Sequence, residues 1–335
     1  MDYLSLKNVT KKFGKEKTFA LNQVSFDATK SEIVGIIGSS GSGKTTLLRI
    51  ISGLEIPHSG KIVLNDNILN DTSVFVPPEN RNCTLVFQDY ALFPHLTVLE
   101  NINFGKNTSL KPGNVKRLLE IAKIKDLISR YPHEISGGEQ QRVALIRAMA
   151  TNPNLLLLDE PLAHLDYELK EGVRSELMNI FTETDTSVLF VSHDIEDSIK
   201  MADKLVVLNK GKVEQIGTPM EIYSHPVNRY VAMLLGKTNL IPRTYMRSAE
   251  DYFIDDINNI EVISVRPNQF IIDKPESTND SPKFTGKISS ISEMGSFIEV
   301  VLSTGNLDLL IHFPFDSKVN KDEEITVSIS NFDRI

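Results

Sequence analysis

The chain of 335 residues has no tryptophan and a single cysteine, Cys83, and no apolar run approaches the ~20 residues that span a membrane as a helix. One cysteine excludes an internal disulfide framework and fits a reducing compartment; as a small apolar residue, Cys83 is expected in the interior. Without a spanning segment, any work at a membrane needs another protein to supply the span. The start, Met1-Asp2-Tyr3-Leu4, has neither the basic nor the apolar region of a secretion signal. Basic residues do not predominate: 36 Lys and Arg stand against 44 Asp and Glu, a net charge of −8, so the footprint of a nucleic-acid binder is missing. What remains, 41% hydrophobic and 24% charged, is the composition of a globular chain with room for two or three domains.

Against that background one segment carries chemistry. Gly38-Ser39-Ser40-Gly41-Ser42-Gly43-Lys44-Thr45 has the form G-x-x-x-x-G-K-[ST]. It follows the apolar run Ile33–Ile37 and precedes the helical pattern Thr46–Ile51, the strand–loop–helix context that a phosphate-binding loop requires. Glycines let the backbone curl so that successive N–H groups point at phosphate oxygens. The helix N-terminus adds unpaired N–H groups and the positive end of its dipole. Lys44 reaches the outer phosphates as a point charge, and the Thr45 hydroxyl suits Mg²⁺. The expected ligand is a nucleoside triphosphate.

Two more segments bear on it. Leu155–Leu158 reads as a strand buried on both faces, and it ends in Asp159-Glu160-Pro161. Carboxylates just past the carboxyl end of such a strand stand where open α/β sheets bind ligands. Asp159 suits Mg²⁺, and Glu160 suits polarising the water that attacks a terminal phosphate. Ile135-Ser136-Gly137-Gly138-Glu139-Gln140 opens a helix; alone it is as readily a helix capped by Ser136 as a second anion site.

The alternation of strands (Val24–Phe26, Lys61–Leu64, Thr84–Phe87, Ser187–Val191, Lys204–Leu208) with helical stretches (97–131, 194–202) predicts an α/β domain over residues 1–236. Beyond residue 240, short alternating segments punctuated by Gly286, Gly295 and Gly305 predict a separate, barrel-like all-β domain over 240–335.

With these motifs in hand, residues 3–235 resemble the ATP-binding subunits of ABC transporters. Their glycine signature is similar to Ser136–Gln140 with Ile135 for the usual Leu, their Walker B motif to Leu155–Glu160, and their glutamine loop to Phe87-Gln88-Asp89-Tyr90. Their switch histidine is similar to His193 and their adenine-stacking aromatic to Phe13. The resemblance implies a P-loop ABC-type ATPase domain with a helical subdomain at about 89–150, followed by a small OB-like β-domain. It implies ATP and Mg²⁺ as bound groups and a head-to-tail dimer. ATP would lie between Phe13, Gly38, Ser39, Ser40, Gly41, Ser42, Gly43, Lys44, Thr45 and Thr46 of one copy and Ser136, Gly137, Gly138 and Gln140 of the other, with Asp166 at the junction. Thr45, Gln88 and Asp159 would serve Mg²⁺, while Glu160, His193, Gln88 and Lys44 would carry hydrolysis. The D-loop departs from the family's Ser-Ala-Leu-Asp: Ala163-His164-Leu165-Asp166 lacks the hydroxyl, which puts coupling between the two sites in doubt.

The stretch Lys210–Pro219 with Ile222-Tyr223 and Pro226, and more weakly Val265-Arg266-Pro267, resembles importers that carry a C-terminal accessory domain. These take up ferric iron, polyamines, sulfate or sugars. Partners implied are integral-membrane permease subunits and, through them, a solute-binding protein, with the chain peripheral on the cytoplasmic face of the inner membrane and without nucleic acid. Ala91–Val98 would sit beside the groove for the permease. Ser187–Asp194 leans to the ferric-iron type. The alternatives are another of these solutes, or a soluble regulatory ABC ATPase not tied to a permease.

Overall fold

All five residues of the run Ile33–Ile37 are buried, four of them branched and apolar, and they form a strand with neighbours on both sides. The structure is a computed structural model that describes residues 3–14, 18–104, 112–163, 167–245, 254–255, 261–273 and 281–330. Its first unit, Met1–Pro219, contains β1 (Leu4–Lys12), β2 (Phe19–Ala28), β3 (Ile33–Ile37), α1 (Lys44–Ser52), β4 (Ser59–Leu64), β5 (Asn67–Asn70) and β6 (Cys83–Val86). Then come α2 (Val98–Phe104), α3 (Pro112–Ile121), α4 (Gly137–Met149), β7 (Leu155–Asp159), α5 (Tyr167–Thr184), β8 (Ser187–Val191), α6 (Ile195–Met201), β9 (Lys204–Asn209) and β10 (Lys212–Gly217).

Six strands order as β10-β9-β3-β8-β7-β6, parallel except for the antiparallel edge β10. The two-residue period of a strand divides their side chains between two cores. Leu156, Leu158, Val188 and Phe190 face the core shared with α2 to α5. Leu155, Leu157, Leu189 and Val191 face the other, shared with α1 and the four-stranded antiparallel sheet β2-β1-β4-β5. A strand buried on both faces has no use for alternation, which is why these read as continuous apolar runs.

Helix α1 buries Leu47, Leu48, Ile50 and Ile51. At roughly 2 kcal/mol each, this burial anchors the phosphate loop to the sheet far more strongly than helix propensity could. Its C-terminus is closed twice. Gly53 takes the left-handed conformation, and the fully buried Arg81 donates to the carbonyls of Ile50 (2.7 Å) and Ile51 (2.9 Å). Cys83 is largely buried, and burial pushes its thiol up to about 11.

The second unit, Met220–Ile335, begins within α7 (Pro219–Ser224) and continues through α8 (Arg229–Leu234), β11 (Asn239–Pro242), β12 (Ile254–Asp255), β13 (Glu261–Val265), β14 (Phe270–Ile272), β15 (Lys283–Glu293), β16 (Phe297–Ser303), β17 (Asp308–Pro314) and β18 (Glu324–Ile329). Three strands order as β11-β13-β12 and five as β14-β18-β15-β16-β17. The two edges of the larger sheet, β14 and β17, touch each other, so it curls into a nearly closed, barrel-like form. Ile298, Val300, Leu302, Leu309, Ile311 and Phe313 alternate inward to its core. The all-β domain expected from the sequence is present.

The division between units falls at Pro219/Met220, earlier than the expected change near Gly236. Two contacts draw the helices to the second unit: Ala232 of α8 packs on the buried Val262 of β13, and Arg266 bonds both helices. Arg266, 3% exposed, donates to the carbonyls of Tyr223 (3.1 Å), Ala232 (2.9 Å) and Gly236 (3.2 Å) and stacks on the Tyr223 ring at 4.2 Å. It thereby ties both helices to the β-domain. Arg266→Ala leaves those carbonyls without a donor and is expected to cost about 2–4 kcal/mol of the second unit's stability, read by urea unfolding followed by circular dichroism.

Candidate functional site

The chain turns out of β3 through three glycines with positive φ: Gly38 (154°), Gly41 (77°) and Gly43 (108°). At Gly43 a Cβ would also stand 2.4 Å from the Ala20 carbonyl oxygen, so both backbone conformation and space demand glycine. Lys44, 8% exposed, lies across this loop and donates from Nζ to the carbonyls of Gly38 (2.7 Å) and Ser39 (3.1 Å). Burial holds its ammonium below the ordinary value, opposed by the nearby carboxylates of Glu160 and Asp159.

The acidic pair arrives from the neighbouring strands. β7 and β8 pair in register, Asp159 opposite Val191, so the residues that follow them emerge side by side. Glu160 has φ +50°, uncommon for a side chain of its size, and its N–H donates to the Val191 carbonyl at 3.0 Å. Its carboxylate meets His193 Nδ1 at 2.9 Å. Asp159 Oδ1 stands 3.5 Å from the Thr45 hydroxyl. Burial, then Glu160, raises the Asp159 carboxyl above its usual range, while Arg49, Thr45 and Lys44 pull it down.

Phe13, Ala20, the loop residues Ser40–Thr46, Glu160 and His193 enclose a hollow of about 490 Å³. Nearly half of Phe13 is exposed, with Lys11 Nζ 5.1 Å from its ring centre. Size alone does not mark the site: a hollow of about 660 Å³ at the amino ends of β7 and β8 lacks any glycine loop. Thr45 and Asp159 offer hard oxygen donors, which suits Mg²⁺. Among the described residues no three His, Cys, Asp or Glu converge, so a cation here would complete its shell with phosphate oxygens and water.

Other expected residues lie elsewhere in this chain. Ser136 caps α4 by accepting from Glu139 N–H, and Glu139 accepts from Ser136 N–H at 2.7 Å, a capping box. Ser136 and Gly137 are exposed and, like Gly138 and Gln140, take no part in lining the hollow. Gln140 braces its own turn, donating to Pro132 (2.9 Å) and Ile135 (3.4 Å) carbonyls, bonds that it would have to exchange to meet a nucleotide. Gln88 is half-buried just past β6 and is also outside that lining. Beyond it Tyr90 and Ala91 have positive φ, and Arg147 of α4 holds their carbonyls at 2.8 and 2.7 Å. The loop Phe93–Thr97 is braced by the buried Asn101, which donates to the carbonyls of Phe93, Leu96 and Thr97. Thr84 of β6 bonds the Thr151 hydroxyl at 2.9 Å. Asp166, with His164 and Leu165, lies outside the described residues.

Sequence reasoning missed Ala20, which comes from β2 to line the hollow, and Arg49, which faces Asp159 from the exposed side of α1. Ala20 carries no signal of its own. Arg49 lies one helical turn after Thr45, so its direction was open to inference.

A glycine loop joining strand to helix, with two carboxylates and a histidine at the carboxyl ends of adjacent parallel strands, defines a P-loop nucleotide-binding protein. The profile of the ABC transporter family matches residues 21–163. A spermidine/putrescine import ATP-binding protein of Oleidesulfovibrio alaskensis is 34% identical, covering 90% of this chain and 85% of its own. A sulfate/thiosulfate import ATP-binding protein of Thermosynechococcus vestitus is 39% identical, covering 89% and 86%. Among solved structures, the dimer of an ATP-binding cassette in a post-hydrolysis state with ADP and Pi matches with a TM-score of 0.55 and 32% identity, over 64% of this chain and 98% of that one. The chain belongs to the ABC transporter family, as one of its ATP-binding, ATP-hydrolysing proteins. No helix among its described residues is long and apolar enough to cross a membrane.

Proposed function

We propose that the chain is the ATPase subunit of an import complex. Two copies would sandwich ATP head to tail, driving a solute through separate permease subunits fed by a solute-binding protein. The observation that carries this reading is the meeting of Ser40–Thr46, Glu160 and His193 around one hollow, with Asp159 beside Thr45, while Ser136–Gly138 stay outside it. A second copy, presenting its own Ser136, Gly137, Gly138 and Gln140, would supply the missing wall.

In this mechanism the loop N–H groups and Lys44 hold the β- and γ-phosphates, and Phe13 stacks on the adenine. Mg²⁺, held by Thr45 and Asp159 with help from Gln88, would neutralise charge on the phosphates. Glu160 accepts the proton of the attacking water, and His193 fixes Glu160 and the γ-phosphate. Asp166 would sit at the dimer junction. Phosphoryl transfer is mainly a matter of positioning, so closing the dimer completes the site and hydrolysis opens it. Residues 1–236 would form the ATPase domain, with its helical subdomain at about 89–150, and 240–335 the accessory domain; the chain would sit on the cytoplasmic face of the membrane.

For the solute, the relatives' names point to spermidine/putrescine or sulfate/thiosulfate. Ferric iron, expected from Ser187–Asp194, finds no counterpart in those names. We place polyamine first and sulfate second. Uptake of labelled spermidine, sulfate and ferric iron by cells with and without the chain tests this choice. Loss of spermidine uptake alone is expected, and loss of another uptake alone would overturn it. If all three persist, the alternative of a regulatory ATPase free of any permease gains the ground.

A further inference from the structure

A cluster of charges, buried at Arg174 and Asp197 and half-buried at Lys170 and Asp194, joins α5 to the segment that carries His193. Lys170 Nζ lies 2.7 Å from the Asp197 carboxylate and also bonds that of Asp194. Arg174, 5% exposed, donates to Asp197, 3% exposed, at 2.8 Å, and pairs on its outer side with Glu171. Lys170 and Arg174, four residues apart, share one face of α5. Burial opposes the charge on Lys170, but hydrogen bonds to Asp194 and Asp197 outweigh it and hold the ammonium above its ordinary value.

The acidic partners flank the histidine closely. Asp194 follows His193 directly and caps the seven-residue α6 by accepting from the Asp197 N–H at 3.2 Å. Ser192, on the other side, anchors to β3 through its N–H (3.3 Å to Ile36 O) and accepts from the Asp194 N–H at 2.9 Å. Such a cluster gives little net stability, because taking Arg174 and Asp197 out of water, and Lys170 and Asp194 partly so, offsets most of their attraction. What it fixes is geometry.

We propose that Lys170 and Arg174 are positioning residues for hydrolysis: through Asp194 and Asp197 they set the backbone that aims the His193 imidazole at Glu160, 2.9 Å away. None of the four lines the nucleotide hollow. The proposal rests on the reading of Glu160 and His193 as the hydrolytic pair, and the test separates the two. Lys170→Met is expected to lower kcat about tenfold with KM for ATP changed less than about twofold, and Lys170→Arg to recover most of the loss. Asp194→Asn should behave like Lys170→Met, because asparagine caps a helix as well as aspartate yet offers Lys170 no charge. If Lys170→Met does not fold, Asp194→Asn carries the test.

The deciding measurement is a double-mutant cycle with His193→Ala by single-turnover hydrolysis in the full chain. If Lys170 acts through His193, adding either variant to His193→Ala should change the rate by less than about threefold. A full tenfold loss in that background, or unchanged kcat in both single variants, overturns the proposal. Undiminished hydrolysis in His193→Ala alone would instead remove the reading on which it stands.

Discussion

Glu160→Gln is expected to bind ATP as the parent does and to hydrolyse it about 10²–10⁴-fold more slowly, the range a positioned general base contributes. Glutamine keeps the size of the side chain and can still meet His193 Nδ1, so the 2.9 Å contact need not be lost. It cannot take a proton from water. Nor does it add strain, because glutamine occupies the backbone position at φ +50° no less readily than glutamate. One effect should favour binding: Glu160 raises the Asp159 carboxyl, and removing its charge lets Asp159 ionise more easily next to Thr45. On the proposed reading, the variant collects as an ATP-loaded dimer, visible by size-exclusion chromatography in ATP but not in ADP. Steady-state hydrolysis within about threefold of the parent would take the base role away from Glu160.

The residues differ in how much of this was legible beforehand. The strands Ile33–Ile37 and Ser187–Val191 could be read to the residue, because a strand covered on both faces is apolar throughout and the turns that bound it are polar. The loop could be read because only glycine tolerates its backbone and its close approach to Ala20. The pairing of Glu160 with His193 could not, since it depends on β7 and β8 lying side by side, a matter of strand order between segments about thirty residues apart in the chain. The division at Pro219/Met220, earlier than the sequence suggests, has a similar origin. Helices α7 and α8 look locally like the α/β domain before them, and contacts from further along the chain, Arg266 to both helices and Val262 to Ala232, join them to the second unit. The charge cluster around Asp197 is hidden in the same way, since only the packing of α5 against α6 brings Lys170 and Arg174 to Asp197.

Lys44→Ala is expected to weaken ATP binding about 10–100-fold while leaving the folded protein within about 1 kcal/mol of its parent stability. The two effects part company because of where the ammonium stands. Without a phosphate its charge is buried, and burial holds its pKa down, so deleting it relieves a desolvation cost that roughly offsets the loss of its bonds to Gly38 and Ser39 carbonyls. With a phosphate in the loop, the same charge meets oxygens of opposite sign in a site of low dielectric, and nothing replaces it. Lys44→Arg should not rescue binding, because a planar guanidinium cannot fit where the ammonium lies, 2.7 Å from the Gly38 carbonyl beneath the loop. Calorimetric titration with ATP, set beside thermal unfolding of the same preparations, measures both halves. A variant that binds as tightly as the parent would show that the phosphates rest on the loop N–H groups alone. A variant that fails to fold would show that Lys44 ties the loop together before any nucleotide arrives.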